Sequence, residues 1–551
     1  MSATVPLHHK SAVPRPTLEQ LRCITAEYKL QLSDAELQEY REVITGMLGA
    51  YDALEEMPEP KLPVKYQRMP GYRPASSENP SRAWAWKSRV EGASGADLPL
   101  AGKTVVVKDN IALASVPMLN GCSLFSTLIP DEDATVVTRT LDAGAVILGK
   151  ATCENLCLSG SSFTTTHGPV LNPHDPLRTA GGSSSGCGVL VANGEADLAI
   201  GGDQGGSIRI PAAWCGIVGL KPTHGLCPYT GILPIEPTID YVGPMARTVG
   251  ELATFLDVLA GSDALLDPRQ REVGPHGSFH FAEHLHADLE AGVPGVRVGL
   301  LLEGFGVPDM DPAVAAAVRD AAQRLCAHLD RPLKEVSVPE HFPLAKQVWL
   351  GMFVEGAHEV MIRRNSSLTG QRGHFLSGAI DTFGSAKAVR AGELSVTTKL
   401  TVLMAEHLHR TTNGRFYARA QNQIRAIQAA YDRAFEHEVD VLIMPTIPYR
   451  ATELPRARSG EDAAATASLA SLVHTALGMV DNTAAFDGTG HPALSIPVPL
   501  SASCPGDPAL AHLPIGMQLV ARHNSERVLL AVAAACEQML KAEACVNSNN
   551  P

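Results

Sequence analysis

From about residue 98 onward, short apolar runs typical of strands alternate with segments of helical pattern. The runs that read as strands are 104–107, 145–148, 296–301 and 440–444, and the helical patterns include 136–141 and 312–328. Strands that are buried in this way and separated by helices need helices on both faces of a sheet. The sequence therefore predicts an α/β fold whose sheet is covered on both sides.

Residues 1 to about 85 differ in character from the rest. Ser33 and Glu36 stand at the positions of a capping box. Apolar residues then recur at helical spacing, namely Leu37, Tyr40, Val43, Ile44, Met47, Leu48 and Tyr51. A second helix is expected over residues 17–30, and a Pro- and Ser-rich linker follows residue 58. We expect an N-terminal helical arm over 1–85 and a catalytic core over 86–551. Since the arm buries little alone, it needs the core or a second copy of the chain.

Within the core, residues from about 335 to 435 are mainly helical in pattern, and they are expected to form a smaller lobe inserted into the sheet domain. The polar segment 270–295, bounded by Gly and Pro, is expected to be a surface connection.

Composition excludes several classes of partner. The formal net charge is −13, which argues against a phosphate-binding surface and therefore against nucleic acid. No apolar run reaches membrane-spanning length, and the first seventeen residues lack the apolar segment of a secretory signal. The eleven cysteines include no CxxC pair, so reduced thiols and a cytoplasmic setting are expected. Cys153 and Cys157 are interpreted as part of a buried face.

Three segments could carry chemistry. Lys108 ends an apolar strand, where it is either an ordinary lysine with its head in water or a buried amine that can act as a base. Residues 181–186 read GGSSSG, which fits a flexible linker except that an apolar segment follows closely. No lysine follows as in a phosphate-binding loop, and the dinucleotide-binding glycine pattern is absent.

The third segment, residues 201–211, contains Gly205, Gly206 and Ser207. Two glycines let a substrate carbonyl approach the backbone, and consecutive N–H groups of such a turn can bind one oxyanion. The alternative is an ordinary glycine-rich turn. A GxSxG nucleophile elbow is absent, and neither Ser183 nor Ser207 begins an SxxK motif.

Taken together, these segments resemble the amidase-signature family, which shares a strand-end KDN, a GGSSSG-type loop and a GxDxGGSIRxP stretch. The separations of Ser207 from Ser183 and from Lys108 are similar to those of the family. Further matches are residues 215–223, 240–247, 490–493 and 513–518, so the resemblance covers about residues 98–540.

The resemblance implies a role for each residue and a mixed sheet as the fold. Ser207 corresponds to the nucleophile, Ser183 to a bridging serine at a cis peptide, and Lys108 to the base. The residues expected to form the oxyanion hole with their N–H groups are Gln204, Gly205, Gly206 and Ser207. Those expected to support the loops are Ser184, Asp203 and Arg209. With Gln204, the loop resembles that of a subgroup which includes bacterial amidases of nitrile metabolism. In that subgroup an N-terminal helical arm contributes to the dimer contact, so the resemblance implies a homodimer here.

The implied activity is hydrolysis of a small carboxamide to the carboxylic acid and ammonia through an acyl-enzyme, without metal or cofactor. Carbamate or aryl-acylamide hydrolysis on the same residues stays an alternative. The amide-hydrolysing component of a tRNA-dependent amidotransferase is less favoured, because of the helical arm and the acidic net charge. A non-catalytic interaction protein is also less favoured. An HxxEH pattern at His280, Glu283 and His284 is interpreted as a solvated helix start, because it lies in a polar stretch and such motifs often match by chance.

Overall fold

The computed structural model describes residues 11–264, 266–270, 272–365, 372–455, 467–504 and 506–548. The chain divides into two compact units, the first ending at Leu62 and the second beginning at Pro63. A strand of the main sheet begins at Trp84, and Tyr72 pairs with Lys87 of that strand, so residues 63–85 lie within the second unit.

The described part of the first unit, from residue 11, contains three helices, α1 (Leu18–Tyr28), α2 (Asp34–Met47) and α3 (Gly49–Glu56). The predicted capping box at the start of α2 is confirmed, since Ser33 Oγ accepts from the Glu36 N–H and the Glu36 carboxylate accepts from the Ser33 N–H. Thr17 and Gln20 form the same motif at the start of α1. Both caps satisfy backbone donors that a helix start leaves free.

The described residues of the second unit form one sheet of eleven strands. These are β1 (Trp84–Glu91), β2 (Thr104–Lys108), β3 (Val146–Ala151), β4 (Leu198–Asp203), β5 (Val218–Lys221), β6 (Tyr241–Ala246), β7 (Val298–Leu301), β8 (Leu333–Val336), β9 (Val441–Pro445), β10 (Ala493–Val498) and β11 (Ile515–Ala521). Their order is β1-β3-β2-β4-β6-β5-β10-β11-β9-β7-β8. The pairs β3–β2, β2–β4, β9–β7 and β7–β8 are parallel and the others antiparallel, so the sheet is mixed, as expected.

The helices of this unit lie between the strands in sequence. They are α4 (Thr135–Asp142), α5 (Ser185–Ala192), α6 (Arg209–Cys215), α7 (Val249–Leu259), α8 (Phe281–Glu290), α9 (Pro312–His328), α10 (Leu344–Ala357), α11 (Ser377–Arg390), α12 (Val396–Thr412), α13 (Arg415–His437), α14 (Leu469–Leu477), α15 (Ala484–Thr489) and α16 (Glu526–Ser548). Among the described residues, no helix is both long and apolar enough to cross a membrane.

Alternate strand residues enter different hydrophobic clusters, which is the signature of a sheet buried on both faces. Val105 and Val107 of β2 pack into the cluster that contains α4, α7, α9 and α16. Val106, between them, packs into the cluster of α5 and α6. Leu442 of β9 belongs to a third cluster, with α10 and α13. The predicted α/β fold, with helices on both faces, is confirmed.

Residues 335–435 are mainly helical, as predicted, but they belong to the same compact unit as the sheet. The segment 270–295 is not only a surface connection, because it contains α8. Phe281 and Leu285 of that helix are buried in the core cluster, and this burial stabilises a helix within an otherwise polar stretch.

Leu256 and Leu403 form a matched pair for testing where the core lies. Leu256 on α7 is fully buried, whereas 71% of Leu403 on α12 is exposed. Because truncating a buried leucine loses transfer free energy and leaves a cavity, Leu256→Ala is expected to lower the free energy of unfolding by about 2–5 kcal/mol. Leu403→Ala is expected to change it by about 0.5 kcal/mol or less. Urea denaturation followed by circular dichroism measures both, and equal losses would contradict the packing described.

Candidate active site

The carboxyl ends of two neighbouring parallel strands bring the chemistry-bearing segments together. Strand β2 ends at Lys108, and its parallel neighbour β4 ends at Asp203, directly before the glycine-rich loop. Ser183 lies just before α5, on the connection that leads into β4. The fold thus places residues that are distant in sequence at one edge of the sheet.

Lys108 is completely buried. Its side-chain nitrogen Nζ lies 2.8 Å from Ser183 Oγ and 3.0 Å from the carbonyl oxygen of Gly202. The next residue, Asp109, is also buried but faces elsewhere: its carboxylate accepts from the Leu119 N–H and lies 3.4 Å from Lys150 Nζ. Asp109 therefore pairs with Lys150, and Lys108 contacts Ser183 instead.

The Gly182–Ser183 peptide bond is cis, as the resemblance implies. Ser184 joins the serine loop to its neighbours. Its hydroxyl donates to the Gly202 carbonyl (3.1 Å) and accepts from the Gly202 N–H (3.2 Å). Its N–H donates to the Ser207 carbonyl at 3.2 Å. Ser184 therefore connects the loop of Ser183 to that of Ser207.

Ser207 is 6% exposed, and its hydroxyl makes no hydrogen bond within the part of the chain that the structure describes. The structure thus joins Lys108 to Ser183 directly. It brings Ser207 into the same site through the backbone contact with Ser184, and its side chain is left available to another molecule.

The four N–H groups expected to form an oxyanion hole are not equivalent. The Gly206 N–H donates to Asp203 Oδ1 at 2.5 Å. The N–H groups of Gln204, Gly205 and Ser207 have no acceptor among the described residues. These three N–H groups are therefore the backbone donors of the loop that remain free for an external acceptor.

The carbonyl groups of this loop are held from the other side. Trp349 Nε1 on α10 donates to the Gln204 carbonyl at 2.7 Å, and the Thr483 hydroxyl donates to the Gly205 carbonyl at 2.6 Å. A side chain at Gly205 would come within 2.6 Å of the Trp349 ring. Gly206 has a φ of 128°, a conformation open to glycine. Fixing these carbonyls also fixes the direction of the neighbouring N–H groups, because each peptide unit is planar.

A fully buried ionic cluster supports the loop. The Arg209 guanidinium donates to both oxygens of Asp203, at 3.0 and 3.1 Å, and to Asp487 at 2.7 Å. It also donates to the Thr483 carbonyl and to the Gln518 side chain. Burial opposes ionisation of Asp203, but the charge and hydrogen bonds of Arg209 outweigh it and hold the pKa of Asp203 below its usual range. Burial and the negative charge of Asp203 raise the pKa of Asp487 well above its usual range.

The side chain of Gln204 is buried, and its amide nitrogen donates to the Tyr229 hydroxyl at 2.9 Å. Tyr229 in turn lies near Asp240, whose pKa burial raises to about 7. Gln204 therefore contributes its backbone to the open face of the loop and anchors its side chain in the protein.

Sequence reasoning missed several residues of this site. Trp349, Thr483 and Asp487 lie far along the chain, and no local motif marks them. Cys157, interpreted only as a buried residue, is a neighbour of Lys108 and Ser183. Burial opposes ionisation of its thiol, but Cys153, Lys108 and Ser183 outweigh it and lower the pKa of Cys157 to about 6. Its Sγ also donates to Asn120 Oδ1 at 3.3 Å.

The HxxEH pattern lies apart from this site, as interpreted. His280 is the N-cap residue of α8, and the side chains of His280 and Glu283 are 58% and 83% exposed. The arrangement is that of a solvated helix start.

Comparison with known proteins gives a consistent result. The sequence profile of the amidase family matches residues 72–530. The chain is 40% identical to an enantioselective amidase of Rhodococcus rhodochrous, over 95% of this chain and 96% of that protein. The crystal structure of the native peptide amidase of Stenotrophomonas maltophilia superposes with a TM-score of 0.61 at 26% identity, over 80% of this chain and 83% of that one.

More distant similarity extends to amidotransferases. The chain is 32% identical to a component of the glutamyl-tRNA(Gln) amidotransferase of Methanosarcina barkeri, over 82% of this chain and 87% of that protein. The identity is lower and the coverage smaller than for the rhodococcal amidase.

The matched profile covers most of the chain and includes every residue of the candidate site. The match to the rhodococcal amidase extends over nearly the whole length of both proteins. The chain therefore belongs to the amidase family and is an enzyme that hydrolyses amides.

Proposed function

We propose that Ser207 attacks the amide carbonyl, that Ser183 relays the proton and that Lys108 is the base. The observation that carries this proposal is the 2.8 Å contact between Lys108 Nζ and Ser183 Oγ in a fully buried setting. Lys108 must be neutral when it acts, so that its nitrogen lone pair accepts the Ser183 proton while Ser183 accepts the Ser207 proton.

The bond between Ser207 Oγ and the carbonyl carbon forms as the carbonyl π electrons move to oxygen. The proton then passes from Lys108 through Ser183 to the amide nitrogen, so that the C–N bond breaks, ammonia leaves and Ser207 stays bound to the acyl group as an ester. Water attacks the resulting ester by the same route and releases the carboxylic acid. No oxidant, metal or cofactor enters this sequence of steps.

The developing oxyanion is bound, in this proposal, by the free N–H groups of Gln204, Gly205 and Ser207. Donors of this kind are worth about 2.7–4 kcal/mol each in transition-state stabilisation. The Gly206 N–H has another role, since its bond to Asp203 holds the turn in shape. Asp203, Arg209 and Ser184 are positioning residues, because they act through the backbone of the two loops.

A panel of serine and lysine variants tests this mechanism. Lys108→Arg is expected to lower the rate of amide hydrolysis by at least about 10²–10⁴-fold, because a guanidinium stays charged and cannot accept a proton. Ser207→Ala is expected to be at least as damaging, since it removes the attacking oxygen. Ser183→Ala is expected to keep a trace of activity where water bridges Lys108 and Ser207. Steady-state ammonia release measures all three.

The matched controls are Lys103→Arg and Ser126→Ala. Lys103 lies directly before β2, with its side chain 39% exposed, and Ser126 is also exposed. Both controls should retain the wild-type rate, and circular dichroism should confirm that every variant is folded. A folded Lys108→Arg protein with near wild-type activity would refute the mechanism.

The proposed substrates are small carboxamides with a stereocentre next to the carbonyl group. The relative with 40% identity is described as enantioselective, which supports stereoselectivity here. The Trp349 ring adjoins Gly205 and stacks on Phe353 with a centroid separation of 4.7 Å, and both residues are buried. Rigid aromatic walls beside the proposed oxyanion hole suit discrimination between mirror-image substituents.

Racemic 2-phenylpropionamide provides a direct test of the substrate class. The purified protein alone is expected to release ammonia from this amide. One enantiomer should be hydrolysed about 10–200-fold faster, because an apolar pocket discriminates by about this factor against a misplaced carbon group. Chiral chromatography of the residual amide measures the ratio, with Ser207→Ala as the blank. Hydrolysis of phenyl carbamates or anilides alone would favour the alternative activity, and dependence on a charged tRNA would favour an amidotransferase.

We further propose that the first unit mediates a homodimer in a cytoplasmic setting. The cysteines of the described residues form no disulfide, which suits a reducing compartment. Large apolar side chains on α2 and α3 are exposed, including Tyr40, Val43, Met47, Tyr51 and Leu54. The family profile begins at residue 72, whereas the rhodococcal match covers 95% of the chain and so extends into this unit. A second copy is the partner proposed for the exposed apolar side chains.

Removing residues 1–62 tests the dimer without cutting the sheet, since a cut near residue 85 would remove the start of β1. Light scattering is expected to give a dimer for the full chain and a monomer for the truncated one. Tyr40→Lys combined with Met47→Lys should reproduce the effect, because charges oppose burial of these side chains. Gln38→Lys, a polar position on the same helix, is the control. An unchanged mass for the truncated protein would contradict the proposal.

A further inference from the structure

A second cluster of reactive side chains lies where α13, α15 and β11 come together. Asp432 is on α13, His491 follows α15, and His523 follows β11. Among the described residues, these form the one group of His, Cys, Asp or Glu side chains whose three ligand atoms all lie within 4.8 Å of one another. The mechanism above uses none of them.

The two imidazole rings converge on one carboxylate oxygen. His491 Nε2 lies 3.2 Å, and His523 Nδ1 3.8 Å, from Asp432 Oδ1. Nitrogen and oxygen ligands about 2.0–2.2 Å from a tetrahedral zinc ion lie about 3.3 Å from each other. The observed separations are close to that spacing.

The other nitrogen of each ring is already engaged by the same residue. His491 Nδ1 lies 2.9 Å from Thr489 Oγ1, and His523 Nε2 lies 2.9 Å from the Thr489 carbonyl oxygen. Metal-ligating histidines characteristically hold their second nitrogen on such an oxygen, which fixes the orientation of the ring. Thr489 therefore orients both rings toward Asp432.

The contact with the carbonyl oxygen also identifies the tautomer of His523. A carbonyl oxygen only accepts, so His523 Nε2 carries a proton, and in the neutral ring Nδ1 has a bare lone pair. That lone pair faces Asp432 Oδ1 across 3.8 Å. Two acceptors facing one another are stabilised by a cation between them.

One ligand of the group, His523, lines a cavity of about 380 Å³ together with Thr489, and the Asp432 side chain is 38% exposed, whereas His491 is buried. A small ion would therefore reach the group from the side of His523 and Asp432, where a water can complete its coordination. Arg269 lines the same cavity, but its guanidinium is paired with Asp267 at 2.7 Å, which offsets its charge.

We propose that Asp432, His491 and His523 form a structural site for a divalent metal ion of the zinc type, separate from the residues that hydrolyse the amide. Two imidazoles and one carboxylate are a ligand set that suits Zn²⁺ and its neighbours in the transition series. The bound ion would tie the end of α15 to α13 and β11. Since α15 carries Asp487, the same ion would brace the helix that contacts Arg209.

Metal binding by the untagged full-length protein tests this proposal. After removal of metals with a chelator, titration calorimetry with ZnCl₂ is expected to give one site per chain, and Zn²⁺ is expected to raise Tm. Co²⁺ should produce the visible absorption of a tetrahedral site. Ammonia release should persist in the chelated protein, because the ion contacts no reacting atom.

Variants distinguish this site from stray surface binding. Asp432→Asn and His523→Gln alter partly exposed side chains and are expected to abolish both the uptake and the rise in Tm. Thr489→Val should weaken binding by about 10–100-fold, because it removes one of the oxygens that orient the ligands. His286→Ala, an exposed histidine on α8, is the control and should bind as wild type. Absence of zinc uptake by the wild type, or equal uptake by folded Asp432→Asn protein, would overturn the proposal.

Discussion

The arrangement of the active site depends on the hydrogen bonds and ion pairs of the buried Arg209 guanidinium. Removing a charge from water costs several kcal/mol, and removing one partner of a buried ion pair commonly costs about 3–5 kcal/mol. Arg209 offsets this cost by bonding Asp203, Asp487, Thr483 and Gln518 at once. Arg209 holds the pKa of Asp203 below its usual range, while burial and the charge of Asp203 raise the pKa of Asp487. The cluster therefore ties the end of β4 to α15 and β11.

This anchor explains how a loop rich in glycine can be rigid. Glycine gives the backbone freedom, so the direction of each N–H must be fixed by something else. Asp203 accepts a hydrogen bond from the Gly206 N–H. Trp349 donates to the Gln204 carbonyl, and Thr483 donates to the Gly205 carbonyl. Preorganised donors lower a barrier more than donors that must reorient during the reaction. The three N–H groups that remain free are thus held by contacts to their neighbours in the chain.

The sequence predicted those features that depend on local pattern, whereas the features that were missed depend on tertiary contacts. Strands such as β2 and β9 were identifiable as short continuous apolar runs, and the helix α9 by its helical pattern. Trp349, Thr483 and Asp487 look like ordinary core residues in sequence, and only the fold brings them to the loop. Strand β1 was not identifiable in the sequence because it carries charged residues and follows a Pro- and Ser-rich stretch. At the edge of a sheet a strand can be polar and still pair, so its composition resembles a linker.

The position of α15 shows how support for the site extends beyond its first contacts. This helix has only six residues, too few to be stable by itself. Thr483, directly before the helix, and Asp487 in its middle make buried hydrogen bonds to the glycine-rich loop and to Arg209. At its end, the Thr489 carbonyl oxygen accepts from His523 Nε2 at 2.9 Å. The buried Lys221 at the end of β5 adds a bond to the His491 carbonyl at 2.7 Å. A helix that is held at both ends cannot shift without moving Asp487 away from Arg209. The geometry of the Gln204–Ser207 turn is therefore determined in part by residues nearly 300 positions further along the chain.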